Sequence, residues 1–262
     1  MINAAAPSAA TPSPGYIAPD VGQERGQRAA DVTVIIVNWN AGDLLRNCLE
    51  HLRQQTLQPA QVIVVDNAST DQSLVLPQEL LAWEALDIQR MGCNMGFAAG
   101  NNHALKQCTT EFVALLNPDA FAAADWLAHL RAAADQNPQA ASFGSRQLSH
   151  EVPDILDGTG DCYHASGLAW RQHHGHRQSA DHLQARDIFA PCAAAALYRR
   201  SAVAAIHGFD ESYFCYHEDV DLGFRLRLLG YTARYVPQAV VRHVGSATTG
   251  GQRSEFATYH GH

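Results

Sequence analysis

Apolar residues fall in short runs separated by polar clusters, and the runs alternate between two periods. Val32-Thr33-Val34-Ile35-Ile36-Val37 is a continuous, β-branched run and predicts a strand buried on both faces. Leu44, Leu45, Cys48, Leu49 and Leu52 follow at helical spacing, with Asp43 placed to cap the helix. Pro59 marks the exit, and Val62-Ile63-Val64-Val65 predicts a second buried strand. Residues 77–86 read as helical, a weaker strand follows around Ile88, and residues 97–108 read as helix. Residues 112–116 predict another strand, and 125–135 an Ala-rich helix closed by Asn137-Pro138. Such alternation needs crossover connections and therefore a parallel, doubly wound sheet, whose ligands lie at the carboxyl ends of its strands. Three predicted strands end in polar clusters: Asn38-Trp39-Asn40, Asp66-Asn67 and Asn117-Pro118-Asp119.

The second half changes character. Residues 149–186 are loop-like and rich in Gly and His, with Tyr163 and Trp170 among them. Residues 193–198 predict a strand, Ser201 caps a short helix, and residues 218–229 form an amphipathic helix. Two short strands, near 231–236 and 239–242, close the readable fold.

Composition narrows the class. With 262 residues, 47% hydrophobic and 17% charged, the chain suits one large globular unit, or two small ones sharing a sheet. A net charge of −8 argues against nucleic acid as a partner. No run reaches the roughly 18–20 apolar residues of a membrane span, so membrane contact is expected to be peripheral. Residues 1–30, dominated by Ala, Pro, Ser and Gly, lack the n- and h-regions of a signal peptide and read as a flexible tail. The six scattered cysteines, with no CxxC pair, fit reduced thiols and a cytoplasmic location.

The candidate chemistry gathers at strand ends and one helix start. Asn117-Pro118-Asp119 puts a carboxylate after a strand, where Mg2+ or Mn2+ can be held with diphosphate oxygens and water; the same tripeptide also suits a plain turn. His217-Glu218-Asp219-Val220-Asp221 opens the late helix. Acidic residues there oppose the helix dipole by about 0.3–1 kcal/mol each, which is one full reading of them. The other is that Glu218 and Asp219, about 100° apart around the axis, face different neighbours so that one can act as a base. Asp221 and Arg225 have the spacing of a surface pair. Asp66 can accept from a pyrimidine imide or a ribose hydroxyl, or cap the next helix. Gly96, after Asn94, permits close backbone approach to a ligand. His243 follows the last strand and can complete a metal shell with Asp119. Neither GxGxxG nor GxxxxGK[ST] occurs.

Read in order, these pieces resemble glycosyltransferase family 2, in its bacterial rhamnosyltransferase-like branch. The blocks are residues 32–40 (VTVIIVNWN), 62–71 (VIVVDNASTD), 94–102 (NMGFAAGNN), 112–119 (FVALLNPD), 195–200 (AALYRR), 208–225 (GFDESYFCYHEDVDLGFR) and 242–246 (RHVGS). The resemblance implies an α/β GT-A-type nucleotide-diphospho-sugar transferase fold, a mostly parallel central sheet flanked by helices, with residues 31–246 as the catalytic domain. It implies an inverting transfer from a nucleotide-sugar donor, dTDP-rhamnose or a UDP-sugar, to a saccharide acceptor of a cell-surface polysaccharide. A lipid-linked acceptor would bring the chain to the inner face of the cell membrane. By resemblance Asp66 binds the nucleobase, Asn38 and Asn40 line the nucleotide site, and Asn94, Gly96 and Asn102 lie beside the ribose and diphosphate. Asp119 matches the last aspartate of the DXD-type metal motif, with Asn117 in place of the first. Asp219 matches the catalytic base, Glu218 its neighbour, and His243 a late metal- or diphosphate-contacting histidine. Trp170 and Arg171 are expected to help select sugar and acceptor. The match stops near Ser246, so residues 247–262 are read as a tail, with either a form truncated relative to the family or an unusually open acceptor site expected.

Three other readings compete. An inactive nucleotide-sugar-binding module fits the missing carboxylate at Asn117. A nucleotidyltransferase would want a Gly-rich, basic signature near its first strand, and Asn38-Trp39-Asn40-Ala41-Gly42 has no lysine or arginine. A structural α/β interaction module leaves the polar strand ends without a purpose.

Overall fold

The computed structural model describes residues 30–245. The expected tails at 1–30 (apart from the backbone of Ala30) and 247–262, together with Ser246, lie outside the described residues. The chain runs β1 (Ala30–Asn38), α1 (Asp43–Arg53), β2 (Pro59–Asp66), α2 (Gln78–Leu81), β3 (Leu86–Arg90), α3 (Gly96–Leu105), β4 (Phe112–Leu116) and β5 (Ala120–Ala122). It continues through α4 (Trp126–Gln136), β6 (Ala140–Ser149), β7 (Leu156–Gly158), β8 (Asp161–Tyr163), β9 (Ala169–Arg171), β10 (Arg186–Ile188), β11 (Ala195–Arg199), α5 (Arg200–Ala205), α6 (Glu218–Leu228) and β12 (Thr232–His243).

One sheet organises these elements in the order β10-β12-β6-β11-β4-β1-β2-β3. β4, β1, β2 and β3 run parallel, as the crossover rhythm predicts, and β11 runs antiparallel between β4 and β6. β1 is central because every residue from 32 to 38 is buried. Its alternate side chains divide the core in two. Val32, Val34 and Ile36 pack with Leu45, Leu49, Trp126 and Leu130 of α1 and α4. Ile35 packs with Ala98, Val203, Leu222 and Leu226 of α3, α5 and α6 on the other face. None of the described helices is long and apolar enough to cross a membrane.

Several elements differ from the sequence reading. β6 has almost no β-branched residues, yet residues 140–145 are all buried between β11 and β12. Tertiary burial overrides local preference there. Its small residues suit the crowding: a Cβ on Gly144 would meet Pro191 at 3.0 Å and Ile188 at 3.1 Å. The two expected C-terminal strands are one strand, β12, with a register shift between Val236 and Val240. Pro237 lies in that shift, where no ladder N–H is required. The helix expected over 77–86 is confined to α2, because Leu86 joins the sheet opposite Val62. Asp43 is the first residue of α1 after an N-cap at Gly42, and Ser201 lies inside α5, whose N-cap is Arg199. The loop-like stretch carries β7, paired to β6, and the β8–β9 hairpin.

Candidate active site

The carboxyl ends of β1, β2 and β4 share one edge, and the loops leaving them are tied by side chains. Asn38 donates through Nδ2 to Asp66 Oδ1 (2.7 Å), Ser69 Oγ (3.1 Å) and Ser73 Oγ (3.0 Å). Asp66 also accepts from the Ser69 hydroxyl (2.6 Å) and backbone N–H (3.2 Å). Asn40, at φ 51°, accepts on Oδ1 from the backbone N–H groups of Thr70 (2.8 Å) and Asp71 (3.3 Å). Asn38, Asn40 and Asp66 thus tie together the loops that leave β1 and β2, and Asp66 is buried in the loop it organises. Asn94 accepts from the Gly96 N–H (3.0 Å) at the start of α3. Gly96 adopts φ 84°, and a Cβ there would collide with the Phe214 carbonyl. Its close approach in this structure is therefore to the 209–217 loop. Asn102 lies elsewhere: it donates to the Phe209 carbonyl (2.8 Å) and Glu211 (2.9 Å) and lines a separate hollow with Lys106 and Arg200.

Asp119 and His243 come together from distant parts of the chain. β12 pairs antiparallel with β5, setting His243 opposite Ala120. His243 Nε2 lies 3.2 Å from Asp119 Oδ1, and Nδ1 lies 2.8 Å from Asp157 Oδ2. Burial opposes a charged imidazole, yet the hydrogen bonds to Asp119 and Asp157 push His243 up to about 9. Burial likewise disfavours the Asp119 carboxylate, but bonding to His243 carries it below its ordinary range. A carboxylate and an imidazole nitrogen at this separation form a donor pair suited to Mn2+, or with more oxygen and water ligands to Mg2+. His243 must release its proton to serve. Asn117 stands beside them, its Nδ2 3.5 Å from His243 Nε2, and offers an amide in place of a second carboxylate.

A cavity of about 480 Å³ opens next to this pair. Asn117, Arg171, Glu218 and Asp219 line it, with Trp170 at the rim, 52% exposed. Asp219 Oδ2 accepts from the Ala193 N–H (3.0 Å) and Oδ1 from the Val220 N–H (2.9 Å), which fixes the carboxylate in place. Glu218 is buried, and its Oε2 has no partner. Burial, then the neighbouring Asp219 charge, hold Glu218 well above the usual carboxyl range. The start of α6 thereby separates two adjacent acids, one held by backbone N–H groups and one buried with an unpartnered oxygen. Tyr216 and His217, just before it, both have left-handed backbones (φ 74° and 67°).

Two aspartates in this site escaped the sequence reading, Asp157 and Asp161. Asp161 is buried with Oδ2 unpartnered, and burial together with the Asp219 charge raises its pKa well above the ordinary value. Ligand atoms of Asp161, Cys192 and Asp219 all lie within 4.8 Å of one another. Burial opposes a charged Arg171, and the neighbouring Cys192, Asp157, Asp161 and Asp219 together hold its guanidinium protonated. That cluster therefore carries its own cation. The signal for both aspartates was Asp157-Gly158-Thr159-Gly160-Asp161, a pattern that reads as turn chemistry in a loop.

Comparison with known proteins agrees with this architecture. The profile of "Glycosyl transferase family 2" matches residues 33–206, and that of "Glycosyl transferase family group 2" matches residues 164–256. An N-acetylglucosaminyl-diphospho-decaprenol L-rhamnosyltransferase of Mycobacterium tuberculosis is 28% identical over 252 residues, covering 87% of this chain and 80% of the relative. The O-antigen chain rhamnosyltransferase RfbN of Salmonella typhimurium is 29% identical over 231 residues, covering 87% and 70%. The crystal structure of GalNAc-T7 with UDP, GalNAc and Mn2+ superposes with a TM-score of 0.66 at 14% identity. The alignment covers 84% of this chain and 44% of that one, and the likeness is one of GT-A fold.

Proposed function

We propose that this chain, which belongs to glycosyl transferase family 2, moves a sugar, rhamnose first among the candidates, from a nucleoside-diphosphate donor to a saccharide acceptor with inversion at the anomeric carbon. The observation that carries the proposal is a cavity lined by a backbone-fixed carboxylate, Asp219, and by Asn117, whose amide lies 3.5 Å from the imidazole of the Asp119–His243 pair.

In this reading Asp219 takes the proton of an acceptor hydroxyl as that oxygen bonds to the anomeric carbon. The bond from that carbon to the diphosphate oxygen breaks on the opposite side, and the diphosphate leaves with the electron pair. One displacement inverts the centre. Asp119 and His243 would hold Mg2+ or Mn2+, which when bound supplies positive charge against the diphosphate. Asn38, Asn40, Asp66, Asn94 and Gly96 shape the nucleotide side of the cleft, while Asn102 braces α3 against the 209–211 loop. Trp170 offers an aromatic face to a sugar at the cavity mouth. The relatives' names support rhamnose as the sugar moved, and an acceptor that is an O-antigen chain or an N-acetylglucosamine carried on decaprenyl diphosphate. Exposed Leu168, next to Trp170, gives such a carrier an apolar contact at the membrane surface.

Calorimetry with dTDP-rhamnose and a panel of UDP- and GDP-sugars, in Mn2+ and then in EDTA, tests the donor and the metal together. Metal-dependent binding of one donor, lost in Asp119→Ala, is the expected result; binding unaffected by chelator would overturn the metal assignment. Asp219→Asn should keep donor affinity while transfer falls by roughly 10²–10⁴-fold, and unchanged transfer would remove Asp219 as base. Donor binding by the unaltered chain with no transfer to any acceptor would select the second reading, an inactive nucleotide-sugar-binding module, which the amide at Asn117 favours.

A further inference from the structure

We propose that Asp157 is a positioning residue that joins the two ends of the site through a single carboxylate oxygen. Its Oδ2 lies 2.8 Å from His243 Nδ1 and accepts from Arg171 Nη1 at 2.6 Å. On one side it turns the imidazole so that Nε2 faces Asp119; on the other it sets the guanidinium in the wall of the acceptor cavity. The proposal rests on the reading of Asp119 and His243 as metal-holding residues.

The surroundings are built for this arrangement. Asp157 sits on β7, which is paired to β6 through Leu156 and Gly158, so the carboxylate is carried by the sheet and not by a loose loop. Its backbone carbonyl is 2.8 Å from His174 Nδ1, which fixes the peptide behind the side chain. Arg171 reaches the carboxylate by lying across Gly158, where a Cβ would come within 2.5 Å of its Cγ and Cδ. Arg171 in turn is registered opposite Asp161 in the β8–β9 hairpin. A carboxylate on the far nitrogen of a ligating histidine selects the tautomer and orientation that frees the near one, and losing it typically weakens metal binding 10–100-fold.

The test compares Mn2+ titrations by calorimetry of the full chain and its Asp119→Ala, Asp157→Asn and Arg171→Met variants, with circular dichroism to check folding. The expected pattern is loss of binding in Asp119→Ala, a 10–100-fold weaker affinity in Asp157→Asn, and near-normal affinity in Arg171→Met with a raised acceptor KM. Wild-type affinity in Asp157→Asn, with binding lost in Asp119→Ala, would overturn the proposal and leave the metal assignment standing. Equal binding by the unaltered chain and Asp119→Ala would overturn both. A readout independent of any variant is nitrogen NMR of His243 in the unaltered chain with Cd2+ as a diamagnetic stand-in. A proton on Nδ1 is expected, and a proton on Nε2 would overturn the proposal even if Asp157→Asn does not fold.

Discussion

Glu218 and Asp219 are adjacent acids whose environments separate them. Asp219 has two backbone N–H donors, whereas Glu218 has an orphaned oxygen in a buried position beside a like charge. A carboxyl whose folded pKa is raised keeps a proton that the unfolded chain releases above about pH 4.3. From there up to the raised folded value the native state binds more protons than the unfolded state, so stability falls as pH rises. Glu218→Gln is therefore expected to be more stable than the unaltered chain at pH 8, with the gap closing toward pH 4. Urea unfolding across that range checks it, and a gap that does not change with pH would count against a raised Glu218 pKa. The same contrast explains which residues could be read in advance. Asp119, Asp219 and His243 stand next to obvious strand or helix ends, so spacing and resemblance single them out as candidates. The partners of Asn102 could not be read locally, because Phe209 and Glu211 lie more than a hundred residues away. Asp157 acts through a histidine and an arginine that only the folded sheet brings near it.

At the scale of elements, α6, which carries Glu218 and Asp219, is tightly seated. Gly223 faces Ala190, and a Cβ there would run into the Ala190 side chain. Replacing a helical glycine by alanine ordinarily gains about 1 kcal/mol, but forcing a methyl into a packed contact costs about 1–3 kcal/mol. The clash should win. Gly223→Ala is expected to lower the melting temperature and, by shifting the helix that carries Asp219, to lower kcat more than it raises donor KM. A rise in melting temperature would show that the 189–190 loop yields freely. Element legibility followed the same logic of burial. β1 and β2 announce themselves as β-branched runs, and β4 as a wholly apolar one, because both faces are covered by helices. β6 is equally covered but is filled with Ala, Ser and Gly, so nothing local marks it, and only the slot between β11 and β12 makes it a strand. The β8–β9 hairpin is short and partly exposed, with too few residues to show a period.

Across the whole molecule, Asp119 leaves the parallel half of the sheet and His243 ends the strand farthest along the chain, so a cation bound between them bridges the two halves. Ligands that bind only the folded state stabilise it by about 2.7 kcal/mol at a hundredfold excess over Kd. For a domain of this size that corresponds to a rise of roughly 5–10 °C in melting temperature. Mn2+ with a nucleoside diphosphate is expected to give such a rise in the unaltered chain and almost none in Asp119→Ala, as read by differential scanning fluorimetry. An equal rise in both would place the cation elsewhere.

The register shift in β12 has a consequence for how the protein could fail. Beyond Val236 the strand loops out residues 237–239 and re-enters the sheet at Val240, which brings His243 level with Ala120. A slip of one position along β5 would present Arg242 at that level. Arginine never gives up its proton at physiological pH, so the slipped chain would lock a permanent counter-ion onto Asp119. The same slip would carry Val241 from the core to the exposed face, so the misaligned strand would lose packing as well as the Asp119–His243 pairing. Pro237, which has no N–H to offer an advancing ladder, lies within the register shift, where it disfavours a slipped pairing and helps keep His243 level with Ala120.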